Sequence, residues 1–232
     1  AYKVEHYRQN ANDNGYALVV TETLSGTTDT SVTAAAKTWD YFRHNADIDG
    51  TKSSGTIAAD GSLIMKLYYD RSTYTVTYVS DGTQYGDITT FRYGAAVPAP
   101  TIPAKEGYDF DSLQLDGQNF NGIMPAKNIN LTAKWLAREK SYTVRYYQQN
   151  LSDGFDSIES IPKTGTYDTE IAVAPEKTYT GFTTPESQTV RLNSSLNYVD
   201  FYYTRKSYTL TWNIGDGTAS GSYTGGGFVK YG

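Results

Sequence analysis

The chain has 232 residues, 38% apolar and 19% charged, and its 20 basic and 25 acidic residues leave a net charge of −5. No apolar run reaches the 18 or more residues of a membrane-crossing helix, and no basic block is present to neutralise phosphates, so membrane insertion of this segment and nucleic acid as a partner are not expected. The absence of Cys excludes a disulfide framework, a thiolate metal site and a cysteine nucleophile.

The 22 Tyr and 31 Thr favour strands, because rings and β-branched side chains suit a half-buried pleated surface and lose rotamer freedom on a helix. The chain opens on Tyr2-Lys3-Val4-Glu5-His6-Tyr7, where period-two alternation sends Tyr2, Val4 and His6 inward. A closing strand puts Met65, Leu67 and Tyr69 on the same side. A second unit opens on Tyr74-Thr75-Val76-Thr77-Tyr78 and closes on Ile129 to Trp135, with Ile129, Leu131, Ala133 and Trp135 inward. The first pattern returns with Tyr142, Val144 and Tyr146, closing on Val199, Phe201 and Tyr203; the second returns with Tyr208, Leu210 and Trp212. Turn pairs punctuate the units at Asn14-Gly15, Asp60-Gly61, Asp81-Gly82, Asp116-Gly117, Asn121-Gly122 and Asp153-Gly154. Helix signals are confined to single turns at Pro103 to Gly107, Pro175 to Lys177 and Ala34 to Lys37.

The recurrence is close in register. Tyr2 to Asn10 returns 140 positions later as Tyr142 to Asn150, Gly26-Thr27-Thr28-Asp29-Thr30 returns as Gly165-Thr166-Tyr167-Asp168-Thr169, and Leu67 to Arg71 returns as Phe201 to Arg205. We call this the type-one unit and the other type two. The order is a type-one repeat over 1–71, a type-two repeat over 72–137, a type-one repeat over 138–206, and an incomplete type-two repeat over 207–232. A chain that begins at Ala1 and stops inside a unit reads as a piece of a longer repetitive protein. Units of this size support a core that is only marginally adequate. With joints as short as Ser72-Thr73 and Lys206-Ser207, the expectation is a β-rich chain, α+β at most, of small beads strung end to end as a semi-rigid rod; the joint from Leu136 to Ser141 is the longest.

Residues 74–135 carry Tyr74-Thr75-Val76-Thr77-Tyr78, Tyr93-Gly94, Val97-Pro98, Lys105-Glu106-Gly107-Tyr108-Asp109-Phe110, Met124-Pro125 and Leu131-Thr132-Ala133-Lys134-Trp135. In these motifs the segment resembles the internalin B-repeat family, also called the Listeria-Bacteroides repeat, and residues 208–232 share its opening. Family members often carry Gly-Trp where this chain has Asp111-Ser112-Leu113. Residues 1–71 and 142–205, with the Tyr-x-Val opening, Gln-Asn before the first turn and the closing Leu67-Tyr68-Tyr69, are similar to MucBP-type repeats of mucin-binding adhesins. Both resemblances imply β-grasp-like units in a bacterial protein that is secreted or attached to the cell wall, acting as a stalk or adhesin outside the cell.

No catalytic, cofactor or metal site emerges. His6 takes the place of Tyr146 and reads as a core aromatic substitute; His44 reads as a solvated loop residue. Asn45-Ala46-Asp47-Ile48-Asp49-Gly50 imitates the first half of a calcium loop, but Thr56 stands where the bidentate carboxylate belongs. Asp47 with Asp49 and Asp109 with Asp111 read as solubilising pairs, and Gly225-Gly226-Gly227 lacks the helix and Lys-Ser/Thr of a phosphate loop. The remaining feature is aromatic: Tyr7, Tyr68, Tyr147 and Tyr202 fall on the outward phase in both type-one copies. If first and last strands are neighbours, Tyr7 meets Tyr68 and Tyr147 meets Tyr202 on a face suited to a mucin-type glycan or a host surface protein. The chain is expected to be a monomer and not an enzyme.

Overall fold

The computed structural model describes residues 1–209, 215 and 228–230. The chain divides into two compact units, one made of Ala1–Pro103 with Phe110–Lys134 and the other of Ala104–Asp109 with Trp135–Gly232. Every regular element among the described residues is a strand. The single helical turns expected at Pro103 to Gly107, Pro175 to Lys177 and Ala34 to Lys37 are extended or turn segments instead. Each is too short to offset the cost of nucleating a helix.

The first type-one copy holds β1 (Tyr2–Gln9), β2 (Tyr16–Leu24), β3 (Ser31–Thr33), β4 (Phe42–Asn45), β5 (Ser54–Thr56) and β6 (Ile64–Arg71). The main sheet runs β2-β1-β6-β4, with β1 antiparallel to β2 and parallel to β6, while β3 and β5 form a separate ribbon. A parallel pair needs a long crossover, and residues 25–63 supply it without a helix. The type-two repeat holds β7 (Thr73–Ser80), β8 (Thr83–Gln84), β9 (Thr89–Arg92), β10 (Tyr108–Leu115), β11 (Gln118–Asn119) and β12 (Ile129–Ala137). Its sheet runs β11-β10-β12-β7-β8, with β9 on β7. Asp81-Gly82 and Asp116-Gly117 both take left-handed φ at both positions, as two-residue hairpins require.

The second type-one copy repeats the first with β13 (Glu139–Gln149), β14 (Phe155–Thr166), β15 (Glu170–Val173), β16 (Phe182–Thr183), β17 (Gln188–Arg191) and β18 (Tyr198–Arg205). Its order, β14-β13-β18-β16, and its parallel β13/β18 pair match the first copy, as does the bulge after Tyr146 that mirrors the one after His6. Two short strands follow, β19 (Ser207–Thr209) and β20 (Phe228–Lys230), paired antiparallel.

Three separate apolar clusters fill these sheets. One gathers Val4, Ile57, Leu63, Met65, Leu67 and Tyr69; a second Val76, Tyr78, Val97, Met124, Ile129 and Leu131; the third Tyr142, Val144, Tyr146, Val173, Phe182, Leu192, Val199, Phe201 and Tyr203. The inward phases read from the sequence are the buried ones, because alternation on a strand leaves no other way to hide every second side chain. Tyr208 departs from this pattern, being 50% exposed, and Tyr2, Tyr74 and Trp135 are only half-buried, Trp135 outside all three clusters; Leu210 and Trp212 lie outside the described residues. The joint expected over Leu136 to Ser141 is also shorter than its sequence suggested: Arg138 alone separates β12 from β13, as Ser72 separates β6 from β7 and Lys206 separates β18 from β19.

Candidate functional site

On the outer face of the first type-one copy, Tyr7 and Tyr68 are register partners across the parallel β1/β6 pair. Their rings stack at 4.9 Å and 21°, and Tyr16 stands edge-on to Tyr68 at 5.2 Å. Two carboxylates fix the hydroxyls. Tyr7 donates to Glu5 Oε2 at 2.6 Å, and this bond, with burial second, pushes the Tyr7 phenol up to about 12. Burial first, and then donation to Asp70 Oδ1, pushes Tyr16 up to about 12 as well. The other Asp70 oxygen accepts from Asn45 Nδ2 at 2.6 Å.

The second copy keeps the stack and changes its surroundings. Tyr147 and Tyr202 are register partners, stacked at 4.9 Å and 17°, with Phe155 edge-on to Tyr202 at 5.0 Å. Where the first copy has Glu5 and Lys66, the second has Arg145 and Asp200, joined by two hydrogen bonds of 2.7 Å. The carboxylate beside it raises the Arg145 guanidinium above its ordinary value, and the same guanidinium lies over the Tyr198 ring at 3.8 Å. Tyr198 and Tyr202 are 54% and 46% exposed. Sequence reasoning selected the four stacked tyrosines and missed Tyr198, Arg145, Asp200, Tyr16 and Phe155. The outward phase of β13 and β18 carries the first three of these, so alternation contained that signal.

Beneath the face, His6 is fully buried at the position of Tyr146. Its Nε2 lies 2.9 Å from Glu22 Oε2 and its Nδ1 lies 2.9 Å from the Tyr69 hydroxyl. A carboxylate only accepts, so the ring proton sits on Nε2 and Nδ1 accepts from Tyr69; the Tyr69 oxygen in turn accepts from the Lys37 backbone N–H at 2.9 Å. Lys37 Nζ closes the network on Glu22 Oε1 at 2.7 Å. Hydrogen bonds from Lys37 and then His6 hold the Glu22 carboxyl below its ordinary range. The second copy has no such network: Ile161 stands where Glu22 would, Tyr146 accepts from Glu176 N at 3.3 Å, and Tyr203 donates to Lys177 O at 2.6 Å.

The ends of the type-one sheets share a clasp. Arg71 donates its N–H to Gln9 Oε1 and its Nε to Gln9 O at 3.1 and 2.6 Å; Arg205 does the same to Gln149 at 2.9 and 2.8 Å. Each guanidinium covers a ring, Phe42 at 4.8 Å and Phe182 at 5.1 Å. In the first unit the clasp extends into the type-two repeat. Arg71 Nη1 donates to Tyr93 O at 3.0 Å, Ser72 bridges Tyr41 O and Tyr93 N at 2.8 Å each, and Arg92 reaches Asp13 O and Asn14 Oδ1 at 2.8 and 2.7 Å. Clefts of about 360 to 550 Å³ gather around this joint. In the second unit, Arg138 donates its N–H to Gly107 O and accepts from Tyr167 N, while Tyr108 and Arg191 both donate to Asp168. The Tyr167 ring fills the space a side chain at position 107 would need.

The remaining sequence candidates do not assemble. Asn45 Oδ1 caps Asp47 N in a tight turn, and no group of three His, Asp or Glu side chains among the described residues is placed to hold a metal ion. His44 is not a solvated loop residue: it lies on β4, half-buried, with Nε2 shielded and unpartnered near the Tyr69 ring. Asp111 pairs with Lys134 and Asp109 with Arg138 rather than with each other. Gly225 to Gly227 lie outside the described residues.

Residues 74–134 match the family model of the Listeria-Bacteroides repeat domain, a repeat typical of bacterial surface proteins and generally non-enzymatic. A protein of Evansella cellulosilytica (strain ATCC 21833), named "Putative membrane protein", is 27% identical over 133 residues, which is 54% of this chain and 18% of that protein. The chain thus spans less than a fifth of the length of that relative. No helix among the described residues is long and apolar enough to cross a membrane.

Proposed function

We propose that this chain is a non-enzymatic spacer segment of a bacterial cell-surface protein, a monomeric string of β-grasp-like beads laid end to end outside the cell. The type-one beads are kin to MucBP-type repeats, and the bead boundaries fall at Ser72, Arg138 and Lys206. The observation that carries this reading is the joint at Ser72. One residue separates two strands there, and hydrogen bonds from Arg71, Arg92, Ser72 and Tyr93 tie the beads where a flexible linker would have none. Small-angle scattering of the full chain tests it: a rod gives a radius of gyration well above the roughly 17 Å of a compact globule of this length, and a value near that would refute the spacer role.

A second reading has its own observation. Tyr198 and Tyr202 expose ring area on one strand with the Arg145–Asp200 pair between them, an arrangement suited to stacking on a mucin-type glycan and bonding its hydroxyls. The stacked pairs Tyr7/Tyr68 and Tyr147/Tyr202 are its core. Binding on a glycan array that Tyr198→Ala and Tyr202→Ala abolish supports it; no binding, or binding indifferent to both substitutions, removes it.

A further inference from the structure

We propose that the end of the first type-one copy is a recognition surface for the opening hairpin of a type-two repeat, and that Tyr41 is its specificity-determining residue. Trp39 to Phe42 form a tight turn closed by Phe42 N to Trp39 O at 3.2 Å, and Tyr179 to Phe182 form the same turn in the second copy, also at 3.2 Å. The third residue of each takes left-handed backbone: Gly181 at φ 82° and Tyr41 at φ 66°. Glycine is what such a position asks for, since it carries no Cβ to crowd the carbonyl. Five of the six non-glycine left-handed residues described are Asp, whose short polar side chain tolerates the region; Tyr41 is the sixth, and a bulky side chain there is strained.

Nothing within the first copy offsets that strain. The Tyr41 side chain is 43% exposed and takes no part in the Val4–Tyr69 core. Its ring contact is with Tyr93 of the type-two hairpin, at 4.4 Å and 44°. The partner this surface fits is therefore defined by chemistry: a hairpin end presenting an Arg followed by a Tyr, with a free backbone N–H three residues on. Tyr41 takes the ring of Tyr93 and Arg71 its carbonyl. The Asp13 carbonyl and the Asn14 side chain take Arg92, and Asn12 Oδ1 accepts from Ala96 N at 2.8 Å. The corresponding end of the second copy carries Gly181 for Tyr41, and its loop from Asn150 to Gly154 is one residue shorter, with Leu151-Ser152 where the first copy has Ala11-Asn12-Asp13. It presents neither the ring nor the Asn12 cap. The inference concerns the joint alone and stands whether the chain spaces or binds.

The cysteine-free full chain takes two spin labels cleanly, through Thr23→Cys on β2 and Gln118→Cys on β11, both exposed. Pulsed electron resonance should give one narrow distance distribution. Tyr41→Gly should raise the undocked population about 2- to 12-fold, the range an aromatic pair commands, and broaden the distribution. Thermal unfolding should stay at or above the parent midpoint because the strained turn is relieved. Tyr41→Asn, which tolerates left-handed backbone but has no ring, should behave alike, and in a Tyr93→Ala background Tyr41→Gly should add nothing. An unchanged distribution in both Tyr41 variants, or a Tyr41→Gly effect that persists undiminished without Tyr93, overturns the proposal.

Discussion

The two type-one copies share a strand order, a tyrosine stack and an arginine clasp, yet they fill the centre of the sheet in opposite ways. The first places His6 among Tyr69, Glu22 and Lys37, so its core holds a polar network in which every polar atom has a partner. The second places Tyr146 there, beside Phe201 and Tyr203, and keeps polarity to single bonds at the rim. What is common to both is set by backbone geometry: the parallel pairing of first and last strands, the bulge, and the close approach of a core side chain to Gly26 and to Gly165. The centre is free to vary because either an aromatic cluster or a satisfied network fills the same volume. The difference teaches where the repeat is constrained and where it is not.

The largest contrast should come from the central position. His6→Ala takes one of two partners from both the Tyr69 hydroxyl and the Glu22 carboxylate, which keep their bonds to Lys37, and leaves a cavity, so it should destabilise the first copy by about 2–4 kcal/mol. Tyr146→Phe removes a single long bond and should cost about 1 kcal/mol or less. Denaturant unfolding of the two variants reads both, and equal losses would erase the distinction. The constrained positions should behave alike: a methyl group at Gly26 would lie 2.4 Å from Ile57, and one at Gly165 would lie 2.5 Å from Leu192. Gly26→Ala and Gly165→Ala should therefore each cost about 1–3 kcal/mol by overpacking, by the same measurement.

Much of this was legible beforehand. Alternation alone placed Val4, Leu67, Val144 and Phe201 inside, and the outward phase brought Tyr7 to Tyr68 and Tyr147 to Tyr202 once the end strands proved adjacent. The His6 network was not, because Glu22 and Lys37 reach it from β2 and the crossover, and neither segment carries a spacing that announces a hydrogen bond. The strain at Tyr41 was hidden for a related reason: its backbone conformation is fixed by a turn that Gly181 adopts freely, and its partner Tyr93 lies in another repeat. The single-residue joint at Arg138 was missed because β12 and β13 run past their apolar stretches on charged residues, Arg138, Glu139 and Lys140, which read as a linker.

Acid should separate the copies less sharply. The Glu22 carboxyl titrates below its ordinary value of 4.5 in the folded state, so its contribution is present above that pH and lost as pH falls through the lower folded value. Glu22→Gln should remove that part of the acid sensitivity from the first copy, as read by the pH dependence of its unfolding midpoint. The smallest effect is spectroscopic. Tyr7, pushed up to about 12 chiefly by its bond to Glu5, should ionise at lower pH in Glu5→Gln, and the absorbance of tyrosinate would show it. An unmoved titration would mean that the carboxylate does not hold the proton.

All of these comparisons presuppose that each complete repeat encloses its own interior. Leu67→Ala, at a fully buried core position of the first copy, should cost about 2–5 kcal/mol. Hydrogen exchange followed by mass spectrometry on that variant should show faster exchange across residues 1–71 and unchanged protection over 142–205. Equal acceleration in both segments would mean one cooperative core and would contradict the account.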